Sequence, residues 1–396
     1  MSSPLTRDAQ ALLMRMAPAF PVLALTGPRQ SGKTTLARMA FAAKPYLSLE
    51  DVDTRQRAMA DPHQFFASLP DGAILDEVQR APDLLSTLQG VVDTRGRMGD
   101  FIITGSQQFG LRDRISQSLA GRAGNLQLLP LSLAEIHAAG LHSRSMEQTL
   151  WQGGYPALFD TRRTAASLPS QWFSAYISSY IERDVRQVLE VSNLSLFQRF
   201  VLMCASRTGA LLNLAALAAD CGISQPTARS WLSVLEASYV VRLLQPFHQN
   251  LGKRLVKTPK LYFLDTGLLC HLLRIDSPQT LATHALRGAI FECWVVSETL
   301  KYRWNRGLDA SIYFWRDNHG TEVDLVFEHA GLLHAVEIKS GSTFASDWTN
   351  AAARWKTYAG PSAAPVTVVY GGDDSYAVRD VRVMSWRDFG RQRTGA

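Results

Sequence analysis

Residues 20–43 read FPVLALTGPRQSGKTTLARMAFAA, and this stretch decides how the front of the chain folds. An apolar run predicts a buried strand, a loop with two glycines follows it, and apolar residues at helical spacing then predict a helix. The loop fits the pattern GxxxxGK(S/T), whose four fixed positions are filled by Gly27, Gly32, Lys33 and Thr34. Because the pattern stands between a strand and a helix, the sequence predicts a phosphate-binding loop.

The chemistry of such a loop explains its residue types. Glycines let backbone N–H groups close around phosphates, and the N-terminus of the following helix adds its dipole. We expect Lys33 to reach the outer phosphates of ATP and the Thr34 hydroxyl to ligate Mg²⁺. The residues predicted to bind ATP are Gly27, Pro28, Arg29, Gln30, Ser31, Gly32, Lys33, Thr34 and Thr35.

A second apolar run, GAILDEVQ at residues 72–79, predicts a buried parallel strand that ends in two acids. Asp76 is placed to hold Mg²⁺, and Glu77 is the candidate catalytic residue that polarises the attacking water. A strand that ends in a solvated acidic turn has the same local pattern. The phosphate-binding loop upstream favours the catalytic interpretation.

A third strand, DFIITGSQQ, also ends in polar residues. Thr104 is a candidate catalytic residue that, with Ser106, would hydrogen-bond the water or the γ-phosphate, although Thr-Gly-Ser is also an ordinary exit from a strand. Arg122 is the candidate for a charge-stabilising arginine, acting within the chain or across a subunit boundary. Arg112 and Arg114 compete for that role, and an ordinary surface arginine fits the sequence equally well.

The composition limits the class of protein. The 396 residues suggest two or three domains, and 46% hydrophobic residues is ordinary for a soluble protein. The net charge of +6 favours an anionic partner such as a nucleic acid or a nucleotide, though weakly over so long a chain. The four cysteines form no CxxC pair, and the sequence shows no secretory signal and no membrane-spanning run. A reducing cytoplasm fits these features best.

Several segments together resemble one family. GPRQSGKTT, ILDEVQRAPDLL, FIITGSQQ, SLAGRAGNLQLLPLSLAEI and GGYPAL are similar to a bacterial and archaeal group of AAA-type P-loop ATPases. That group carries a C-terminal domain of unknown function with a winged helix and a nuclease-like end. The resemblance covers nearly the whole chain, and it implies a cytoplasmic protein that binds and hydrolyses ATP.

The middle of the chain predicts a helical connector followed by a winged helix. YIERDVRQV ends the connector, and its Arg183 belongs either to an ordinary charged helix surface or to a nucleotide site. Further on, a turn at Gly222 precedes a helix with Ser224 as N-cap and Pro226 in its first turn. The exposed residues of that helix would read a DNA major groove, and they are Gln225, Thr227, Arg229 and Ser233.

A basic segment follows at the place where the wing of such a domain would project. It reads NLGKRLVKTPK and contains Lys253, Arg254, Lys257 and Lys260. Contact with a nucleic-acid backbone is one interpretation of this charge. A solvated loop on a protein-binding winged helix is the other.

The stretch TEVDLVFEHAGLLHAVEIKSG, near the end of the chain, carries a second set of acids. The expected order of elements around it, a helix, three strands, a helix and a strand, resembles the core of PD-(D/E)XK nucleases. Period-two geometry puts Glu337 and Lys339 on one face of their strand. With Asp324 from the neighbouring strand and Glu292 from the preceding helix, three carboxylates would hold Mg²⁺.

In that interpretation Lys339 is a catalytic residue that orients the attacking water, and Glu322 shares a face with Asp324 as a supporting ligand. An edge strand with its charges in water has the same alternating pattern. Domains that resemble this nuclease family also bind DNA or protein without cutting, so the sequence leaves cleavage open.

The fold prediction is therefore a multidomain α/β protein. We expect an AAA-type P-loop ATPase domain with a parallel sheet over residues 1–145, a helical connector over 146–190, a winged helix over 191–283 and an α/β restriction-nuclease-like domain over 284–396. The expected function is ATP binding and hydrolysis coupled to a DNA-binding, nuclease-like C-terminal region. The alternative is a nucleotide-gated scaffold that binds DNA or a protein partner without cleavage. Assembly into a homo-oligomer stays open.

Overall fold

The chain forms an α/β structure with two separate sheets. The computed structural model describes residues 5–106, 118–141, 145–160, 168–181, 194–248 and 258–391. The strands are β1 (Val22–Gly27), β2 (Tyr46–Ser48), β3 (Ala73–Asp76), β4 (Phe101–Ser106), β5 (Ala123–Gln127), β6 (Val241–Pro246), β7 (Lys260–Phe263), β8 (Ile312–Arg316), β9 (Glu322–His329), β10 (Leu332–Lys339), β11 (Val366–Tyr370), β12 (Tyr376–Val378) and β13 (Val381–Ser385).

The α-helices are α1 (Ala9–Met16), α2 (Lys33–Ala40), α3 (Val52–Ala60), α4 (Pro62–Ala67), α5 (Leu84–Arg95), α6 (Leu133–Ala138), α7 (Met146–Gln152), α8 (Leu168–Tyr176), α9 (Leu194–Ala205), α10 (Leu214–Cys221), α11 (Gln225–Ala237), α12 (Thr266–Leu272), α13 (Pro278–Ala282), α14 (Arg287–Arg306), α15 (Asn350–Ala359) and α16 (Trp386–Gly390). Some residues singled out in the sequence lie outside the described residues, namely Arg112, Arg114, Arg183, Lys253, Arg254 and Lys257.

The first sheet has five strands in the order β2–β3–β4–β1–β5, and each neighbouring pair is parallel. The strands of a parallel sheet end at the same edge, so Gly27 of β1, Asp76 of β3 and the end of β4 share one edge. All six residues of β1 are buried, as expected for a strand in a parallel sheet that is covered on both faces. The predicted parallel sheet is confirmed.

The second sheet is mixed and has eight strands in the order β12–β13–β11–β10–β9–β8–β6–β7. Strands β8, β9 and β10 form an antiparallel meander, whereas β11 pairs in parallel with β10 and β13. Strand β6 joins β8 in parallel through Gln245–Tyr313 and Pro246–Phe314, so the antiparallel pair β6–β7 continues the C-terminal sheet. This shared sheet differs from the separate units that we expected. Pairing satisfies the N–H and C=O groups that a free edge of β8 would leave open.

Helices α9, α10 and α11 precede β6 and β7. The Ser224 hydroxyl accepts the N–H of Thr227 at 3.2 Å, and Pro226 lies in the first turn of α11, which confirms the predicted cap. Gly222 ends α10 with a φ of +70°, a conformation that favours glycine. Of the residues that we expected on the exposed face of α11, two are exposed (Gln225 and Arg229) and two are half-buried (Thr227 and Ser233).

The C-terminal region has the predicted order of elements, with α14, the strands β8 to β10, α15 and β11 following one another. One apolar core joins this region to the helices before it. The core includes Phe200 of α9, Trp231 of α11, Tyr262 of β7, Phe291 of α14 and Phe314 of β8. The middle and the end of the chain therefore pack as one body around shared side chains.

Candidate functional site

The phosphate-binding loop runs from Gly27, at the end of β1, to Gly32, just before α2. These glycines have φ values of +153° and +95°, conformations that side chains rarely adopt. A Cβ on Gly27 would lie 2.2 Å from the carbonyl oxygen of Leu128, so only glycine fits beside the segment that follows β5. The first N–H groups of α2 have no partner within the helix and can bind an anion.

Lys33 closes over this loop. Its side chain is buried, and its ammonium donates to the carbonyl oxygens of Gly27 at 3.1 Å and Pro28 at 2.8 Å. The Ser31 hydroxyl is buried and has no hydrogen-bond partner in the part of the chain that the structure describes. A tight glycine turn, a lysine held at its mouth and an orphaned hydroxyl fit the phosphates of a nucleotide. Among the other predicted loop residues, Pro28 and Arg29 are buried, whereas Gln30 and Thr35 are exposed.

Asp76 is the meeting point of three hydroxyl groups. Thr34 of α2 donates to its Oδ1 at 2.9 Å, Thr104 of β4 donates to the same oxygen, and Tyr46 of β2 donates to Oδ2 at 2.8 Å. Burial and the hydrogen bond to Asp76 raise the pKa of Tyr46 to about 12. The structure thus brings together the predicted Mg²⁺ residues Thr34 and Asp76. The hydroxyl of Thr104 donates to Asp76, whereas the sequence suggested that it would contact the water or the γ-phosphate.

Glu77 follows Asp76 in an unusual conformation. Its φ is +58°, a value that is rare for a residue with a side chain, and the amide of Gln79 donates to its Oε2. The hydrogen bond from Gln79 thus holds the carboxylate of a residue whose backbone is in the left-handed conformation. We did not predict a role for Gln79 from the sequence, although its position two residues after Glu77 could have indicated a contact between the two side chains.

Arg122 does not reach the phosphate-binding loop within the chain. It precedes β5, and its carbonyl accepts the N–H of Val22 at the start of β1, the end opposite to Gly27. Its guanidinium binds Asp93 of α5, with Nη2 donating at 2.8 Å. Five residues of β1 separate it from the loop, about 16 Å at 3.3 Å per residue. The expectation of an arginine acting within the chain is therefore wrong for Arg122, and its action across a subunit boundary stays a prediction.

Arg7 supports the phosphate-binding loop through a hydrogen bond to its backbone. It is buried, and it donates to the carbonyl of Ser31 at 2.6 Å, to the carbonyl of Leu129 at 2.7 Å and to Glu135 at 3.0 Å. The Arg7 guanidinium lies 3.3 Å from the position of a Cβ on Gly32. Nothing near Arg7 in the sequence marks this role, because its partners are up to 128 residues away.

Three contacts connect the first sheet and the segment after β5 to the C-terminal body. The hydroxyls of Thr26, just before the loop, and Tyr239, just before β6, lie 3.1 Å apart, and both residues are buried. On α14, Lys301 donates to the carbonyl of Leu131 at 2.9 Å and to Glu298 at 2.8 Å. Glu298 in turn accepts the N–H of Leu133 at 2.9 Å. The segment after β5 is therefore tied to α14 by charged side chains.

The predicted C-terminal acids lie close together. Leu325 of β9 pairs with Val336 of β10, which puts Asp324 beside Glu337, and Asp324 accepts the N–H of Ile338 at 2.8 Å. The Lys339 ammonium lies 2.7 Å from Glu337, as period-two geometry predicted. Across from them, Glu292 of α14 accepts the hydroxyl of Tyr262 at 3.1 Å.

Lys260 lies among these acids. Its ammonium donates to Glu322 and lies 4.0 Å from Asp324, and its residue is only 5% exposed. The interpretation of Lys260 as part of an exposed basic loop is therefore wrong, because it is the first residue of the buried strand β7. Burial lowers the pKa of Lys260, but the negative charges of Glu292, Asp324 and Glu322 outweigh burial and hold that pKa above its usual value.

Three acids of this cluster, Glu292, Asp324 and Glu337, have raised pKa values. Burial raises the pKa of Glu292, and the neighbouring Asp324 adds to the effect. Burial also raises the pKa of Asp324, against the opposing effect of Lys260, and the pKa of Glu337, against Lys339. Asp324 raises the pKa of both Glu292 and Glu337, so these predicted metal ligands lie near it. Within the described ranges, however, no three His, Cys, Asp or Glu side chains are arranged to hold a metal ion, and their role as metal ligands stays a prediction.

Across the residues that the structure describes, no helix has the length and apolarity needed to span a membrane.

Three family models match the chain: an AAA domain over residues 19–137, a domain of unknown function (DUF8612) over 143–279 and a second one (DUF4143) over 287–389. The AAA match covers the phosphate-binding loop and the acids at the end of β3.

Two mycobacterial proteins are similar to this chain. The uncharacterized protein Rv2008c of Mycobacterium tuberculosis and the uncharacterized protein Mb2031c of Mycobacterium bovis are each 35% identical to it over 341 residues, which is 85% of this chain and 74% of theirs. Among solved structures, the Walker-type ATPase PABY2304 of Pyrococcus abyssi aligns with a TM-score of 0.46 and 15% identity over 69% of this chain and 99% of that one. The chain belongs to the same family as the two mycobacterial proteins, and its AAA domain is followed by the DUF8612 and DUF4143 domains.

Proposed function

We propose that this chain is an ATP-driven switch, which binds and hydrolyses ATP at the loop Gly27–Thr35 and transmits the nucleotide state to its C-terminal body. Lys33 and the loop amides would hold the phosphates, and Thr34 and Asp76 would hold Mg²⁺. When bound, Mg²⁺ neutralises charge on the phosphate oxygens. Glu77, whose carboxylate accepts a hydrogen bond from Gln79, would orient and deprotonate the attacking water.

The observation that carries the switch is the contact between Thr26 and Tyr239. Thr26 is the residue before Gly27, so a shift of the loop on binding phosphate would act directly on its backbone. Tyr239 lies between α11 and β6, and its hydroxyl is 3.1 Å from that of Thr26 in a buried place. Packed interfaces respond to small shifts by changing between discrete arrangements, so this contact supports transmission from the loop to α11 and the second sheet.

We expect Glu77→Gln to lower the rate of ATP hydrolysis about 100-fold or more while ATP still binds. Removal of a general base has an effect of this order, and the amide cannot take a proton from water. Phosphate release and binding of a fluorescent ATP analogue would be measured on the same preparation. The matched control is Glu50→Gln, which changes a largely exposed acid of the same unit that pairs with Arg80 at 3.6 Å. Hydrolysis at the wild-type rate in Glu77→Gln would exclude Glu77 as the base.

We expect Tyr239→Phe to uncouple the two parts of the chain. In the wild type, ATP should slow amide hydrogen exchange in the loop and also in β6, whereas in the variant only the loop should respond. The control is Tyr370→Phe, which removes a hydroxyl that donates to Asp374 at 2.8 Å within the C-terminal body. If the exchange of β6 responds to ATP equally in both variants, the Thr26–Tyr239 contact does not transmit the state.

The output of the switch is proposed to be binding of DNA or a protein partner by the C-terminal body, without cleavage. This choice over a nuclease is supported by the ammonium of Lys260, which lies where the acids would need a metal ion. Exposed Gln225 and Arg229 on α11 support DNA as the first partner to test.

Phosphate release with and without duplex DNA, together with a nicking assay on the same sample, distinguishes a DNA-binding switch from a nuclease. Faster release without nicking supports the switch, and nicking that is lost in Asp324→Asn supports the nuclease.

A further inference from the structure

The acid cluster of the second sheet already contains a cation. Lys260 begins β7, and its side chain extends past the Phe314 ring of β8, with its ammonium 5.5 Å from the ring centroid. That ammonium then meets two acids of β9, donating to Glu322 and lying 4.0 Å from Asp324. A single buried lysine thus connects three strands of the sheet at the place where the acids converge.

The charges of the cluster are nearly balanced by side chains alone. Lys339 lies 2.7 Å from Glu337, and Arg316 lies 3.5 Å from Glu322. With Lys260, three cationic side chains therefore face the carboxylates of Glu292, Glu322, Asp324 and Glu337. A divalent ion needs several carboxylate or carbonyl oxygens free to turn toward it. Here Asp324 accepts the N–H of Ile338 with its Oδ2, and its Oδ1 lies 4.0 Å from the ammonium of Lys260. The buried Oε2 of Glu337 has no hydrogen-bond partner among the described residues, but this oxygen alone does not make a coordination shell.

The donor set therefore does not fit a metal, although the order of elements and the spacing of the acids are those of a metal-dependent nuclease. We propose that the ammonium of Lys260 is the resident cation of this cluster and that the cluster binds no divalent metal while Lys260 is in place. Lys260 comes from the segment before the C-terminal domain, so it also fastens β7 to β9. The cluster then holds the segment that contains β7 to the C-terminal domain, and it is not a metal centre.

Titration of the full-length, nucleotide-free chain with Mn²⁺, followed by electron paramagnetic resonance of the free ion, tests this proposal. The wild type and Asp324→Asn should bind Mn²⁺ equally, because the cluster contributes no site with a dissociation constant below about 1 mM. Lys260→Met should gain a site at least about tenfold tighter, and Lys260→Met/Asp324→Asn should lose it again. Lys260→Arg keeps a cation and should behave as the wild type does.

Lys356→Met is the matched control, since Lys356 pairs with the exposed Asp380 at 3.0 Å outside the cluster. Two results overturn the proposal. One is a wild-type Mn²⁺ site below about 1 mM that Asp324→Asn removes. The other is a folded Lys260→Met that gains no site. If Lys260→Met does not fold, two measurements on the wild type and Asp324→Asn decide the question: the Mn²⁺ titration and Mn²⁺-dependent nicking of DNA. Both proteins should lack nicking.

Discussion

Replacing Lys33 by alanine is expected to lower the affinity for ATP about 100-fold or more and to abolish phosphate release. A 100-fold loss corresponds to about 2.7 kcal/mol, which is the size of one or two charge-assisted hydrogen bonds to phosphate. The effect is large because Lys33 is buried against the loop, so water does not replace its charge easily. The two carbonyls that it now contacts, at 3.1 and 2.8 Å, show that its ammonium already lies at the mouth of the loop.

The measurement is a titration with a fluorescent ATP analogue, accompanied by phosphate release at saturating ATP. Lys44→Ala is the matched control, because Lys44 belongs to the same unit but donates to the carbonyls of Asp71 and Asp100. We expect Lys44→Ala to bind ATP as the wild type does. A thermal melt of each variant checks that the fold is kept. Hydrolysis of ATP by Lys33→Ala at the wild-type rate contradicts the assignment of the loop.

Replacing Lys301 by methionine is expected to lower the free energy of unfolding by about 3–5 kcal/mol. Lys301 is 5% exposed and neutralises Glu298, which is 2% exposed, over a distance of 2.8 Å. Burial raises the pKa of Glu298, and Lys301 is the main influence that opposes this rise. Methionine has a similar shape but no charge, so the variant leaves a carboxylate uncompensated in the interior and removes the bond to Leu131.

The midpoint of urea unfolding, followed by tryptophan fluorescence, measures this loss. Lys301→Met/Glu298→Gln should be more stable than Lys301→Met alone, because the amide removes the buried charge while its oxygen still accepts the N–H of Leu133. Lys356→Met, in which an exposed pair is broken, should stay close to the wild type. Equal midpoints for Lys301→Met and wild type would mean that Glu298 is neutral or solvated in the folded protein.

The nucleotide site was predicted from sequence because its parts are local or follow from strand order. The loop from Gly27 to Thr35 is one continuous segment, whose glycines and lysine stand at fixed spacing. Asp76 was placed beside Thr34 because the strands of a parallel sheet end at one edge, and the two residues are 2.9 Å apart. The residues that support this site were missed: Arg7, Tyr46 and Tyr239 lie far away in the chain and belong to no motif.

Lys260 shows the limit of reasoning from charge patterns. Four basic residues within eleven suggested an exposed segment, and the pattern holds no information on which of them would enter a strand. Pairing of β7 with β6, and of β6 with β8, brought Lys260 to the acids of β9. The acids themselves were found from period-two spacing, but their counter-ion was not.

The sequence by itself therefore determined the phosphate-binding loop, the acids of the first sheet and the order of α14, β8 to β10, α15 and β11 in the C-terminal region, because these depend on local spacing and on alternation along a strand. The tertiary structure alone decided that Arg122 lies at the end of β1 opposite to the loop and binds Asp93, that Thr26 touches Tyr239 and that Lys260 occupies the acid cluster. These outcomes depend on which distant segments pair and pack. Buried charges are tolerated only when a partner of opposite charge reaches them, and that partner can come from any part of the chain.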